Sequence, residues 1–567
     1  MRIHRTKLTR FRRDLERWAA DAYGIYWRER SARWRWTAVA GVVALTAMII
    51  VACAPRPRPG PARPSPAWPE RPAPEPAPAE APRAEETFRV HLAHGAREII
   101  LEAEAGMSVR HRTGVQRLPA GAWTLRATDS RPPAYRYHVF RRRFDAGEQR
   151  EAEAFASEWR REGFPAEVVT LGKRVPIRGG GYLDNRQFWV SLERFDSEAG
   201  AEALRARMEA RNEWTWVRAQ RADEGRITVT FEGPQGQRAA PAQGPLRIES
   251  ERPIALRAPG TGVYAGELEV APGPNGRIEV YERIAMEEYL AGVLPAEMPA
   301  LWPMEAQKAQ AVAARTETLV NSIDKHAFDG FDFCAHEHCR MYGGYGRWHP
   351  RATEAIERTA GQVLGLGGEL VPAVFSANCG GWGEHNDNVW NSPPHPALRG
   401  APDGANPNAA PMADPAGWIR SRPQAHCSAD QQNYRWTRRM SRSETTAAVN
   451  RRHSVGTVQR IEPGERGVSG RLKTVRIVGA SNTVTIEREN AIRLALGDLP
   501  SALFMVSAEG DSFVFTGAGR GHGVGLCQHG ARGRAEAGQS YEQILAHYFR
   551  GARIETLSQA AERATRR

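Results

Sequence analysis

The chain has 567 residues, of which 41% are hydrophobic, a formal net charge of +13 and six cysteines. Its length suits about two to four domains. Apolar residues and 16 tryptophans recur along most of it, which excludes full disorder, and only one stretch is apolar enough to enter a bilayer, which excludes a polytopic membrane protein. Residues 1–36 alone carry +7 of the net charge. The basic balance therefore reflects the N-terminus and does not indicate nucleic-acid binding.

An uncharged apolar run covers residues 37–54, after the arginines and before a proline-rich segment. A basic region, an apolar run and a small residue before the break are typical of an export signal. Residues 50–53 resemble a bacterial lipobox, in which Cys53 is lipidated and becomes the mature N-terminus. An uncleaved membrane anchor is the alternative, since 18 residues just suffice to span a bilayer. With either outcome for residues 1–53, the rest of the chain is held by a membrane on its periplasmic side, because the arginines stay inside.

Residues 54–86 are dominated by Pro, Ala, Arg and Glu. This composition favours extended polyproline II and cannot form a core. At about 3.1 Å per residue, such a segment reaches on the order of 90 Å. We expect a semi-stiff linker that lets a body act at a distance from the membrane.

An internal repeat lies within residues 133–222. A strand-like run near 137–144 is followed by a helical pattern over 148–162, and a second run near 188–195 is followed by one over 197–211. This pattern predicts a strand–helix–strand unit given twice, with two helices on one antiparallel sheet. The arrangement resembles a SPOR domain, a family that binds peptidoglycan glycan strands stripped of peptides. A structural module without a ligand is the alternative.

Strand patterns flank this repeat on both sides, which indicates that it is an insertion. We predict an α+β fold in which residues 87–130 and 223–556 form one discontinuous body, residues 133–222 are inserted, and residues 557–567 form a C-terminal tail.

Glu297 lies in the segment Pro295-Ala296-Glu297-Met298-Pro299, just before a helix that is predicted to start near Pro303. The two prolines restrict the backbone and hold the carboxylate in a fixed direction. Apolar neighbours would desolvate this carboxyl group, raise its pKa and suit it to general acid catalysis. A surface or capping carboxylate is the alternative.

Two long motifs resemble the SpoIID/LytB family. The first runs from Glu288 through Glu297-Met298-Pro299 to Thr316, and the second is the glycine-rich segment 519–531, GRGHGVGLCQHGA. The likeness covers residues 285–555. It implies a lytic transglycosylase that acts on denuded peptidoglycan, with Glu297 as the catalytic acid and a 1,6-anhydro sugar as the product.

That chemistry requires one acid/base group and no second carboxylate, because the sugar's own C6 hydroxyl attacks C1. LytB-like members are described as amidase enhancers, so a protein that binds peptidoglycan and stimulates an amidase without cutting is the main alternative. A purely structural envelope anchor is a third.

The resemblance also implies residues that bind substrate. His522 would donate to an acetamido or hydroxyl oxygen, although a structural turn with a buried histidine is equally consistent with the motif. Glu384 would act as a second acid or as a polar wall of the cleft. The full set of candidates for substrate binding is His522, Gln528, Ser376, Glu384 and Arg315.

Cys334 and Cys339 lie close to several histidines in FDFCAHEHCRMYGG. Two thiolates and an imidazole suit tetrahedral zinc, whereas an exported protein would also allow a disulfide between the cysteines. Some SpoIID members carry a His-Cys-Cys zinc site, which implies a structural zinc ion held by Cys334, Cys339 and either His326 or His338. The other cysteines after Cys53 have no evident partner in the sequence; they are Cys379, Cys427 and Cys527.

Overall fold

A computed structural model describes residues 87–560, except residues 146, 173, 177–181, 185, 258–260, 322–324, 337 and 405–410. The export segment with Cys53, the linker 54–86 and residues 561–567 lie outside the described residues. Within the described ranges, no helix combines the length and the apolar character that crossing a membrane requires. Helices alternate with mainly antiparallel sheets, in agreement with the predicted α+β class.

The strands of the described residues, in chain order, are β1 (Thr87–Ala96), β2 (Glu98–Ala103), β3 (Met107–His111), β4 (Gly114–Leu118), β5 (Gly121–Arg131), β6 (Tyr135–Phe144), β7 (Glu167–Leu171), β8 (Arg174–Pro176), β9 (Tyr182–Asp184), β10 (Gln187–Phe195), β11 (Trp216–Arg221), β12 (Arg226–Glu232), β13 (Arg238–Gly244), β14 (Leu246–Glu249), β15 (Ile254–Arg257), β16 (Gly262–Tyr264), β17 (Glu267–Pro272), β18 (Ile278–Ala285), β19 (Phe333–Cys334), β20 (Gln362–Leu366), β21 (Glu369–Leu370), β22 (Phe375–Ser376), β23 (Trp436–Ser441), β24 (Val458–Pro463), β25 (Thr474–Gly479), β26 (Thr483–Glu487), β27 (Phe504–Glu509), β28 (Ser512–Gly517), β29 (Leu526–Cys527) and β30 (Arg553–Thr556).

The helices with both ends in the described residues are α1 (Gln149–Arg161), α2 (Glu198–Ala210), α3 (Met286–Glu297), α4 (Met304–Asn321), α5 (Pro350–Arg358), α6 (Asn386–Val389), α7 (Pro415–Ser421), α8 (Gln431–Tyr434), α9 (Arg442–Asn450), α10 (Glu489–Ala495), α11 (Gln528–Glu536) and α12 (Tyr541–Tyr548). Short 3-10 turns cover Pro234–Gly236, Tyr345–Arg347 and His426–Ala429.

Two sheets join the first five strands to strands that follow residue 226. The seven-stranded sheet has the order β19-β1-β18-β17-β14-β3-β4, and the six-stranded sheet has the order β13-β12-β5-β2-β15-β16. In both sheets, apolar side chains alternate with polar ones, so that one face of each strand enters a shared core that includes Phe88, Trp123 and Val280. Segments far apart in the chain therefore build one body.

Residues 135–221 form a β-α-β-β-α-β unit with the sheet order β11-β6-β10-β7. Helices α1 and α2 contribute alanines, Trp159 and Leu204 to one core with Val190, so they cover the same face of this sheet. On the opposite face, Phe140 and Trp189 pack against Phe328 of the body. The unit thus leaves the body after β5 and returns at β12, which pairs with β5.

The rest of the body carries two further cores. One lies around α4, α11 and α12 and includes Ala309, Leu526 and Phe549; the other, over residues 436–517, is built by two three-stranded sheets with α9 and α10. The predicted tail begins too early, because Ala560 is buried against Leu319. A predicted boundary at residue 556 misses this contact because the apolar residues that define it are few.

Candidate active site and metal centre

Glu297 is the last residue of α3, not part of an irregular loop. Pro295, two residues earlier, lies in the final turn of the helix, where it has no N–H to donate to the carbonyl four residues before it and so favours an end of the helix close by. Helix α3 is held by buried side chains such as Tyr289 and Val293, and the N–H of Met298 closes the last turn on Leu294 O at 2.9 Å. The carboxylate therefore projects from the end of a rigid element.

The Glu297 carboxylate is half-buried and accepts a hydrogen bond from the N–H of Met341 at 2.8 Å. Burial raises the pKa of Glu297 above its usual range, while the Met341 N–H, Arg340 and the polar side chain of Gln528 act in the opposite direction. This environment favours a carboxyl group that stays protonated to higher pH than an exposed glutamate.

The segment that offers the Met341 N–H is anchored on both sides. Arg340 is buried and bonds Glu317 and Thr318 of α4. The Tyr342 hydroxyl donates to Glu282 on β18 at 2.7 Å. Because these neighbours are fixed, the N–H between them stays aimed at Glu297. Arg340 is thus a packed, ion-paired residue near the acid, and its own surface is buried.

The glycine-rich motif brings Gln528 to Glu297. Strand β29 pairs in parallel with β22, and the Gly523 N–H donates to the Ser376 hydroxyl at 3.2 Å. Gly525 has a positive φ of 68°, and a Cβ there would lie 2.2 Å from the Val374 carbonyl, so only glycine fits. Gln528 then begins α11; its buried Nε2 has no hydrogen-bond partner among the described residues.

His522 lies in the same motif and faces Trp390, with ring centroids 5.0 Å apart. Burial, reinforced by Arg471 and Arg493, lowers the pKa of His522 to about 3, so the ring is neutral near pH 7. Its Nδ1 accepts the N–H of Val524 at 3.1 Å, which leaves the proton on Nε2. The imidazole is therefore a neutral donor beside a Trp390 side chain that is 36% exposed.

The four side chains predicted to hold a metal lie together. One ligand atom each of His326, Cys334, His338 and Cys339 falls within 4.8 Å of all the others. Both cysteines are free thiols. The Nδ1 of His326 bonds Asp329 at 2.8 Å, and its buried Nε2 has no hydrogen-bond partner within the described part of the chain. A histidine oriented by a carboxylate, with its other nitrogen unpaired, suits a metal ligand.

Comparisons with known proteins indicate the family of this chain. A family model described as stage II sporulation protein (SpoIID) matches residues 274–365, and one for a domain of unknown function (DUF8618) matches residues 384–525. An uncharacterized protein of Brachyspira hyodysenteriae is 30% identical over 296 residues, which are 51% of this chain and 72% of that protein. The chain belongs to the SpoIID family.

Two relatives with descriptive names also match this chain. The amidase enhancer of Bacillus subtilis is 31% identical over 297 residues, 46% of this chain but only 39% of that protein. Stage II sporulation protein D of Bacillus subtilis is 26% identical over 291 residues, which cover 48% of this chain and 75% of the relative. The SpoIID match to residues 274–365 includes both Glu297 and the four grouped His and Cys side chains.

Glu384 differs from the expectation that it lines the substrate cleft of this SpoIID protein. It is only 1% exposed. Its carboxylate accepts five hydrogen bonds, from the N–H groups of His385, Val468 and Ser469, the Ser469 hydroxyl and the Asn388 amide. A carboxylate with all these donors anchors the loop around residue 468 and has no surface for a sugar, so the substrate-binding assignment is corrected.

Arg315 requires the same correction. Its side chain is fully buried and forms two bonds with Glu287, at 2.8 and 2.7 Å, and further bonds with the Ile356 and Gln362 carbonyls. Arg315 therefore joins α4 to α3 and α5 instead of reaching substrate. Ser376 is also buried, and its hydroxyl holds the glycine-rich motif through Gly523.

Sequence reasoning missed the Met341 N–H beside Glu297 and the Trp390 side chain beside His522. The Met341 N–H is a backbone group, which every residue except proline has, so the residue type at this position does not predict its role. Trp390 stands in no motif, although exposed aromatic side chains often contact sugars; only its place beside His522 singles it out.

Proposed function

We propose that this protein is a lytic transglycosylase that cleaves the MurNAc–GlcNAc bond of denuded peptidoglycan strands, with Glu297 as general acid and base. The observation that supports this most is the Glu297 carboxyl itself: it is half-buried, it has a raised pKa, and it accepts one hydrogen bond from the fixed N–H of Met341. A carboxyl of this kind keeps its proton to higher pH than an exposed glutamate, which suits general acid catalysis.

The proposed reaction needs only this group. Glu297 donates its proton to the glycosidic oxygen as the bond from MurNAc C1 to that oxygen breaks, and the GlcNAc hydroxyl leaves. The Glu297 carboxylate then takes the proton from the C6 hydroxyl of MurNAc, whose oxygen bonds to C1. The product is a 1,6-anhydro end, and the proton returns to Glu297, so no water is consumed.

Neighbouring groups supply binding. Gln528 places its amide beside the Glu297 carboxylate, and Trp390, which is 36% exposed, lies beside the neutral ring of His522. An amide suits the hydroxyl and acetamido groups of a sugar, and an aromatic ring suits its apolar face.

We further propose that His326, Cys334, His338 and Cys339 bind a structural zinc ion. The unpaired Nε2 of His326 and two free thiols within 4.8 Å give the nitrogen and sulfur ligands that zinc prefers. The ion would brace the segment that leads to Arg340 and Met341. It takes no part in bond cleavage.

The β-α-β-β-α-β unit over residues 135–221 is proposed to be a SPOR-like module that holds denuded glycan. Its Trp214 is 69% exposed and lies 4.8 Å, centroid to centroid, from Trp216 on the edge strand β11. Together with the N-terminal export segment and linker, this module would keep the enzyme on the cell wall while tethered to a membrane in the periplasm.

The test is product analysis with the full-length chain. Denuded glycan strands are incubated with the unmodified protein, with Glu297→Gln and with Glu357→Gln, an exposed glutamate on α5 that serves as the matched control. We expect anhydro-MurNAc ends by mass spectrometry from the unmodified protein and the control, and none above background from Glu297→Gln. Equal product from all three would show that Glu297 is not the acid.

A second function is favoured by one finding, the similarity to a protein named amidase enhancer. Here the chain would bind glycan and stimulate a cell-wall amidase without cutting. The same protein variants decide between the two. If the unmodified protein and Glu297→Gln both bind denuded glycan without forming anhydro ends, and both speed the release of peptides from intact peptidoglycan by an added amidase, the enhancer function is correct.

A further inference from the structure

The fold gathers the three cysteines that have no partner in the sequence. Cys379 follows β22, Cys427 lies in a 3-10 turn, and Cys527 ends β29. Together with Asp403 they place one ligand atom each within 4.8 Å of all the others. All four residues are at most 2% exposed. This second group shares no residue with the first and lies in the core around α11 and α12.

The sulfur spacing suits a single bound ion. Cys379 Sγ and Cys427 Sγ are 3.6 Å apart, whereas a disulfide requires about 2.05 Å. Two thiolates on one tetrahedral zinc ion, each at about 2.3 Å, stand roughly 3.8 Å apart. The observed separation of 3.6 Å is close to that value, so the two sulfurs suit one shared ion.

The surrounding groups orient the ligands. One oxygen of Asp403 accepts bonds from the Tyr548 hydroxyl at 2.7 Å and from Arg534 at 3.2 Å, and the other accepts the Cys427 N–H at 3.0 Å. Cys527 Sγ accepts N–H groups from Cys379 at 3.2 Å and Gly530 at 3.3 Å. Carboxylates and thiolates held in this way by outer partners are typical of metal sites.

Charge points to a divalent cation. Bound to a metal as thiolates, the three cysteines together with the Asp403 carboxylate would need positive charge in this buried site, since isolated buried charges are strongly unfavourable. Arg534 is the cation bonded to Asp403 and compensates for one negative charge. A divalent ion would compensate for two more, and thiolate-rich tetrahedral sites select zinc over magnesium or calcium.

We propose that Cys379, Asp403, Cys427 and Cys527 bind one structural zinc ion. The ion joins segments that are up to 148 residues apart in the chain. Cys527 directly precedes Gln528, which lies beside Glu297. The site therefore fixes the start of α11 and, through it, one wall of the candidate active site.

Metal analysis tests this without any activity assay. The full-length chain is purified without chelators as unmodified protein, as Cys427→Ser, and as the double variant Cys334→Ser/Cys339→Ser, which removes two ligands of the first group. We expect Cys427→Ser to contain one zinc ion per chain less than the unmodified protein. The double variant should retain one, whether or not the first group binds zinc.

Cobalt substitution provides a second measurement in case Cys427→Ser does not fold. In the double variant, bound Co²⁺ should give the visible bands of a tetrahedral site and a thiolate charge-transfer band that a chelator abolishes. The proposal is overturned if the double variant contains no zinc and gives no such cobalt spectrum. It is also overturned if folded Cys427→Ser holds as much zinc as the unmodified protein, or if mass spectrometry finds a disulfide among Cys379, Cys427 and Cys527.

Discussion

Glu297 and Glu384 are both glutamates in the matched region of this chain, yet the fold uses them in opposite ways. Glu384 is buried under five hydrogen bonds, whereas Glu297 is half-buried and accepts a hydrogen bond from the Met341 N–H. The difference shows that burial alone does not indicate a catalytic acid. A carboxylate whose acceptor sites are all filled by donors of the protein anchors the segments that carry those donors, while one with few donors keeps acceptor sites for another group.

Glu282 stands between the two. It is fully buried and accepts bonds from the Tyr342 hydroxyl at 2.7 Å and the Gly266 N–H at 2.8 Å. Burial raises the pKa of Glu282 from 4.5 to about 7. The three residues thus form a series in the number of protein donors that accompany burial. The following predictions test that series, from the largest expected effect to the smallest.

Replacement of Glu384 by Gln should destabilise the protein most. The amide turns an acceptor into a donor that faces the N–H groups of Val468 and Ser469, so we expect a loss of about 4 kcal/mol in the free energy of unfolding. Urea titration measures this loss. The folded fraction should retain its rate of anhydro-end formation; a stable but inactive Glu384→Gln would place this carboxylate in the reaction after all.

Replacement of Glu282 by Gln should change how stability depends on pH. Because the pKa of Glu282 is raised in the folded state, the folded state binds the proton more tightly, and this group costs stability as pH rises from 4.5 to about 7. Glu282→Gln removes that cost, so its stability relative to the unmodified protein should improve by about 3 kcal/mol between pH 4 and pH 8. Unfolding at several pH values measures this, and parallel curves for the two proteins would contradict it.

Replacement of Glu297 by Asp tests whether the position of the carboxyl group matters in addition to its presence. The side chain keeps its carboxyl group but retracts it by about 1.5 Å, so we expect anhydro-end formation to fall about a hundredfold, equivalent to about 2.7 kcal/mol. The urea midpoint should change little, since a single hydrogen bond is altered. Full activity in Glu297→Asp would show that this carboxylate need not reach the glycosidic oxygen.

Replacement of Arg340 by Gln should have the smallest effect of the four on the rate of anhydro-end formation, as a small shift of its pH profile. It also removes the buried ion pair with Glu317 and therefore lowers the free energy of unfolding, so the profile is measured on the folded fraction. Arg340 lowers the pKa of Glu297, so its removal should raise that pKa and move the falling alkaline limb of the rate to higher pH by a fraction of a unit. Arg252→Gln, at an exposed ion pair with Glu104, is the matched control and should leave the limb in place. A shift to lower pH would contradict the assignment of Glu297 as the acid.

Much of the architecture follows from local patterns. The repeat within residues 133–222 predicts two helices, and α1 and α2 begin and end within one residue of the expected ranges because amphipathic periodicity is a local property. The family is recognisable from the motifs around Glu297 and Gly519–Ala531, and the SpoIID assignment is confirmed. The grouping of His326, Cys334, His338 and Cys339 is likewise predicted, since three of its members lie within six residues.

Burial and long-range contacts could not be predicted from local patterns in the sequence. The sequence predicts that Glu384 and Arg315 line the cleft, because the sequence of a motif does not show which of its charged residues become buried. Only the folded structure shows that Glu384 accepts five hydrogen bonds and that Arg315 forms two bonds with Glu287. The group of Cys379, Asp403, Cys427 and Cys527 is invisible for the same reason, since no periodicity links residues up to 148 positions apart. The sequence by itself determined the family, the types of the secondary-structure elements and the candidate acid. Which polar side chains are buried was decided by the tertiary structure alone, because burial depends on contacts between distant segments.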